Sequence, residues 1–178
     1  MAKKQILHLG CGQHKKPGAI GIDILKDSNA DIRHDLNKFP YPFKANIFDE
    51  VLAENILEHL ENIPKVMEEI YRICKNKAGI TIISSHFTSV DSFTDPTHKH
   101  HFTTRTFDYF IPGTDLYKYN YSRASFKKIS VKLGPANPKN PFIKFVLYLI
   151  NKNLIFYEKH FAFILPVGTI SYILEVEK

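Results

Sequence analysis

Two sets of residues in this sequence could do chemistry. The first is compact. An apolar run (Ile6, Leu7, Leu9) ends at Gly10-Cys11-Gly12; after a polar loop with Pro17 and Gly18, a second run, Ala19-Ile20-Gly21-Ile22, ends at Asp23. Glycines lack a Cβ, so backbone N–H groups at such a turn can approach a ligand closely. A carboxylate at the tip of the neighbouring strand can accept hydrogen bonds from a ribose diol. Turn and acid together describe a pocket for an adenosine-type ligand. The second set is rich in histidine: His59 follows Glu58, and Asp95-Pro96-Thr97-His98-Lys99-His100-His101 gathers three more. Imidazole titrates near neutral pH, so these residues could take a proton from a hydroxyl or amine.

The first set resembles the opening motifs of the class I S-adenosylmethionine (SAM)-dependent methyltransferases, of the type 11 kind. Leu9-Gly10-Cys11-Gly12 matches their L-G-C-G turn, and Gly21-Ile22-Asp23 matches their G-[VI]-D strand end. A dinucleotide-binding G-x-G-x-x-G would need glycine where Lys15 stands. There are departures. His8 occupies the place of the usual acid and His14 that of the third glycine; only residues 13–22 separate Gly12 from Asp23, which leaves the first helix shortened or missing.

The resemblance continues along the chain. Asp35-Leu36 falls where the family has an acid that meets the adenine amine. Phe39-Pro40-Tyr41-Pro42-Phe43 looks like its L-P-F-P loop, Phe48-Asp49 its F-D, and Glu54 to Leu60 its [SAE]-x-V-L-E-H-[LV] strand end. What this implies is SAM as cofactor, held by Leu9, Gly10, Cys11, Gly12, Asp23, Asp35, Leu36 and Asn55. His59, His98, His100 and His101 would then flank the methyl group as candidate catalytic residues. Cys11 sits at a variable position of the turn and reads as small filler.

The elements that must position these residues are strands linked by loops or helices. Ile63, Val66, Met67, Ile70 and Ile73 recur at helical spacing, so a helix is expected from Asn62 to about Cys74. Lys75 to Gly79 ends it, with Gly79 as the turn residue, before a β-branched strand at 80–84. Short strands are expected at 30–36 and 47–53, and alternating ones at 125–133 and 169–177. Strands alternating with connections imply an α/β chain with a mostly parallel sheet. With the resemblance, the expected fold is Rossmann-like and seven-stranded, the last strand antiparallel. It forms a single domain over 1–178, with insertions at about 86–115 and 134–168.

Composition sets the bounds. With 44% hydrophobic and 24% charged residues, the chain is ordinary for a globular protein. Two cysteines make no disulfide framework, and MAKKQILHLG lacks a signal peptide's apolar core. A cytoplasmic location is expected, with peripheral membrane attachment as a variant of it. Charge is uneven: seven acids lie between Asp49 and Glu69 against Lys65 alone, and nine Lys or Arg between Leu116 and His160 against Glu158 alone. A basic carboxyl-terminal half favours an acidic partner.

The loop at 95–101 is expected to hang over the methyl site as a lid. Phe142, Phe145, Val146, Leu149, Ile150, Leu154, Tyr157, Phe161 and Leu165 recur at steps of three or four. This stripe reads as a helix or helix pair packed on the sheet or on a second copy, or as an interfacial anchor on an anionic membrane. The function expected is SAM-dependent methyl transfer to a small-molecule, sugar or lipid-linked acceptor, at oxygen. One alternative is a metal-assisted RNA or quinone O-methyltransferase, because Glu58-His59 with a downstream histidine resembles their carboxylate–histidine set. Asn55 stands where the RNA enzymes carry a first glutamate, and no metal ligands are assigned. The sequence also admits a non-catalytic SAM or nucleotide binder, and a nucleic-acid binder using the Lys- and Tyr-rich stretch within 117–132.

Overall fold

The computed structural model describes residues 4–178; Met1 to Lys3, the start of the MAKKQILHLG stretch, lie outside the described residues. The strands are β1 Ile6–Leu9, β2 Ile20–Asp23, β3 Ile32–Arg33, β4 Phe48–Glu54, β5 Cys74–Ser85, β6 Phe126–Leu133 and β7 Thr169–Val176. They form one seven-stranded sheet in the order β3-β2-β1-β4-β5-β7-β6. Parallel pairing joins β1 to β2 and β4, β2 to β3, and β4 to β5. Only β7 runs against its neighbours, β5 and β6. The carboxyl ends of β1, β2, β4 and β5 therefore share one edge, where open α/β sheets bind ligands.

No helix separates β1 from β2, as their spacing in sequence implies. Residues 10–19 make turns closed by His14 N–H to the Cys11 carbonyl (3.0 Å) and Ala19 N–H to the Lys16 carbonyl (3.1 Å). His8 holds this loop to the sheet. Its Nδ1 accepts from the Lys16 N–H at 3.1 Å, and burial of the ring lowers its pKa. The residue in the family's acidic position is a loop anchor here.

The first α-helix is α1, Ile63–Ile73, between β4 and β5. Asn62 caps it by accepting from the Lys65 N–H at 3.0 Å, and Pro64 fits the first turn, where no N–H is needed. Val66, Met67, Ile70 and Ile73 are fully buried with Leu7, Leu9, Ile22, Val51, Ile80 and Ile82 from the sheet. Each such side chain contributes about 1.5–3 kcal/mol by leaving water.

The helix does not end in the expected turn. Strand β5 begins at Cys74, which pairs with Phe48, and the register then shifts before Gly79 meets Glu50. The left-handed residue of this irregularity is Lys77, at φ 63°, and Gly79 is an ordinary strand residue. Lys75 pairs with Asp49 at 2.8 Å and pins the segment to β4. Strand β3 is shorter than the seven residues expected at 30–36. Its edge is partly held by the Asp31 side chain, which accepts from the Gly21 N–H at 2.7 Å.

A short α2, Asp91–Thr94, follows β5; between β6 and β7 the chain forms α3, Pro141–Lys152, and α4, Leu154–His160. The apolar stripe expected over 142–165 is split at Asn153, which caps α4 by accepting from the Phe156 N–H at 3.1 Å. The change of axis turns the stripe. Ile150 and Tyr157 are buried, whereas Phe142, Phe145, Leu149, Phe161 and Leu165 are exposed. Among the described residues, no helix is long and apolar enough to cross a membrane.

Candidate active site

The glycine turn and Asp23 meet as the sequence implies. Gly10 has φ 59°, a left-handed value that side chains disfavour, and a Cβ there would collide with Ile56. Gly12 has φ 46° with nothing within 4 Å of the place a Cβ would take, so the backbone lies open to a ligand on that side. Its N–H donates to Asp23 Oδ2 at 2.8 Å, and the Leu25 N–H donates to Asp23 Oδ1 at 2.8 Å. The carboxylate is thereby fixed, and each oxygen keeps a second lone pair for a ribose hydroxyl. These features fit a SAM-type ligand.

Leu9 and Cys11 are buried, and burial raises the Cys11 thiol pKa, which suits filler. Leu36 is buried, and Asp35 is half-buried in a turn closed by the Asn37 N–H at 3.0 Å. Asn55 is exposed and left-handed at φ 49°, its N–H tied to the Ile83 carbonyl at 2.8 Å. That kink ends β4 and sends Ile56 back over Gly10. Ile24 and Leu25, 53% and 62% exposed directly after Asp23, form an apolar shelf that sequence reasoning missed. Its signal was two apolar residues following a strand-end acid.

Beside Asn55 is a cavity of about 670 Å³, lined by Glu58, His59, Ser84, Ser85, Asp95 and His98 among others. It lies at the carboxyl ends of β4 and β5. The His59 and His98 rings pack edge to face, with centroids 4.7 Å apart. Their tautomers follow from their partners. Thr97 Oγ1 donates to Asp95 Oδ1 at 2.7 Å, so it must accept from His59 Nδ1 at 2.8 Å. His98 Nδ1 lies 3.1 Å from the Ser92 carbonyl, which can only accept. In the neutral rings both Nε2 atoms therefore carry lone pairs. Hydrogen bonds from the Thr97 side chain and backbone hold the Asp95 carboxyl below its ordinary pKa.

Glu58 is 1% exposed, and its Oε2 has no hydrogen-bond partner, as is true of the Ser84 and Ser85 hydroxyls. An unmade hydrogen bond at a buried oxygen costs about 1–3 kcal/mol. All three groups belong to residues that line the one cavity.

The fold does not bring all four candidate histidines together. His100 Nε2 contacts the Leu60 carbonyl at 2.9 Å, and His101 stacks on Phe93 with its Nδ1 2.8 Å from Ser92 Oγ. Both line a separate cavity with Phe102, Tyr109 and Tyr121. The 95–101 loop is docked by the Lys99 and His100 N–H groups on the Glu58 carbonyl, at 2.7 and 3.2 Å. In the stretch read as a nucleic-acid surface, Tyr121 stacks on Tyr109, Tyr119 packs tilted against both, and Lys128 pairs with Asp108.

Comparison with known proteins agrees with this geometry. Residues 17–83 match a sequence profile described as a methyltransferase domain. A SAM-dependent methyltransferase from Archaeoglobus fulgidus superposes over 97% of this chain and 86% of its own, at TM-score 0.63 and 19% identity. One from Mesorhizobium loti covers 96% and 90% at TM-score 0.59 and 14% identity. The plantazolicin methyltransferase BpumL, solved with a triazolic analogue and SAH, covers 98% and 77% at TM-score 0.60 and 18% identity. In sequence, an uncharacterized protein of Methanocaldococcus jannaschii is 50% identical over 42 residues, which span 24% of this chain and 18% of that relative. The segment 17–83 is thus similar to a methyltransferase domain, and the chain as a whole shares the fold of SAM-dependent methyltransferases.

Proposed function

We propose that the protein transfers a methyl group from SAM to an oxygen of an acceptor held in the Glu58–His59–His98 cavity. The observation carrying this reading is the position of that cavity beside Asn55, with two histidine lone pairs in its wall. SAM, when bound, supplies a methyl on a sulfonium sulfur, which keeps the electron pair as the S–CH3 bond breaks. The chain's own task is alignment and handling of a proton. Gly12 N–H holds the Asp23 carboxylate under the ribose, while Ile24 and Leu25 offer an apolar shelf to the purine. An acceptor hydroxyl against His59 or His98 gives its proton to Nε2 as its oxygen bonds the methyl. Holding the partners at about 3–3.5 Å supplies much of the rate enhancement.

The acceptor class we favour is lipid-linked. Phe142, Ile143, Phe145, Tyr148, Leu149, Phe163 and Ile164 are all at least 48% exposed. Lys139, Lys144, Lys152 and Lys159 lie in the same segment, and its one acid, Glu158, is turned inward to His86 and Thr104. An apolar and basic surface of this kind suits an anionic lipid interface.

Methyl-labelled SAM incubated with lipid and aqueous extracts tests both parts. Label is expected in the lipid fraction with the wild type. His59→Ala with His98→Ala should lower transfer at least a hundredfold, and Lys144→Glu with Lys152→Glu should lower transfer to vesicle-borne acceptor several-fold. Label in the aqueous fraction alone would reject the lipid acceptor, and no label in either would favour a non-catalytic binder.

A further inference from the structure

Glu58, His59 and His98 each offer one ligand atom, and these three atoms all lie within 4.8 Å of one another. We infer that the cluster is a binding site for a divalent transition-metal cation of the zinc kind, facing the acceptor cavity. The inference rests on the reading of that cavity as the acceptor site only for its role in catalysis, since ion binding stands by itself.

Three observations carry it. The unpartnered oxygen of Glu58 is buried and belongs to the cavity wall, so the fold has withdrawn a carboxylate oxygen from water without giving it a donor. A cation is the partner such an oxygen lacks. The Nδ1 sides of both rings are already engaged, His59 through Thr97 to Asp95 and His98 on the Ser92 carbonyl. Metal-ligating histidines are held this way, with the outer nitrogen donating to a carboxylate or carbonyl while the other presents its lone pair. A set of two imidazoles and one carboxylate selects zinc-like cations over magnesium or calcium, which prefer all-oxygen shells.

Ligands at 2.0–2.2 Å from an ion lie about 3.3 Å apart. Closing the cluster therefore needs movements on the order of 1 Å, and the partly exposed rings of His59 and His98 have room for them. Three protein ligands leave a position open to the cavity. With an ion bound, an acceptor hydroxyl in that position would lose its proton to solvent more readily, and the direct transfer to Nε2 proposed above belongs to the ion-free site.

Calorimetric titration of the chelator-treated full chain with Zn²⁺ tests this directly. One ion per chain is expected, and Glu58→Gln and His98→Ala should each weaken binding at least tenfold. Both variants should keep the wild type's affinity for S-adenosylhomocysteine, measured without metal, so loss of the ion site and loss of the cofactor site read separately. Should either variant fold poorly, nitrogen-detected NMR of the wild type gives the answer: Zn²⁺ should shift the Nε2 resonances of His59 and His98. No stoichiometric uptake, undiminished binding by well-folded Glu58→Gln, or shifts confined to other histidines would overturn the proposal.

Discussion

Gly10 answers two demands at once, a left-handed φ of 59° and the passage of Ile56 across its α-carbon. The sequence shows the glycine but not the second demand, because Ile56 arrives there only through the kink at Asn55. The histidines divide in the same way. Composition and spacing single out His59, His98, His100 and His101 alike, yet neighbours in an irregular loop point to different sides. Only the fold separates the cavity pair from the other two. Glu58 was visible as a letter, and its missing partner was not. Lys77 is the converse case, a side chain where Gly79 was expected to make the turn. A left-handed conformation costs a non-glycine residue about 1–2 kcal/mol. Lys77→Gly should therefore raise the urea midpoint by an amount equivalent to roughly 1 kcal/mol, less glycine's greater unfolded-state entropy. A lowered midpoint would mean the lysine's own contacts outweigh its backbone strain.

At the scale of elements, the helix α1 and the strands β1, β2, β4, β6 and β7 were legible because their apolar spacing is regular. The sequence leaves one helix or a pair open over 142–165, since Asn153 interrupts neither the apolar period nor the composition; the structure shows the pair. What seats α4 is one half-buried carboxylate. Thr104 donates to Glu158 through its N–H at 2.7 Å and its hydroxyl at 2.6 Å, and His86 Nε2 lies 3.1 Å away. Burial alone would raise the Glu158 pKa, but the hydrogen bonds from His86 and Thr104 outweigh it and leave the carboxyl below its ordinary value. A carboxyl more acidic folded than unfolded stabilises the fold above its unfolded pKa of about 4.3, and that contribution fades as pH falls through the folded value. Glu158→Gln should thus be less stable than the wild type at pH 7, by about 1–3 kcal/mol for the lost charge-assisted bonds. Denaturant melts at pH 7 and near pH 3 should show the gap shrinking in acid. A gap independent of pH would mean that the carboxylate's charge is not what holds α4.

For the whole molecule, sheet order was legible through the motifs at strand ends, whereas the pairing of the acidic run was not. The acidic run at 49–69 looks like one pole of a bipolar surface, but Glu50 pairs with Lys4 and Lys16, Asp49 with Lys75, and Glu69 with Arg72. Asp49 and Glu50 find their partners in distant segments, which no local reading of sequence shows. The methyl transfer we propose for the cavity would depend before all else on the open turn at Gly12 and the fixed carboxylate of Asp23 holding SAM. Calorimetry of the wild type and of Asp23→Ala with SAM, its demethylated product and NAD is the most direct measurement. The wild type should bind SAM and its product, but not NAD, at one site per chain. Asp23→Ala should lose at least tenfold in affinity, which is about 1.4 kcal/mol. Equal binding by wild type and variant, or preference for NAD, would contradict the assignment of the pocket.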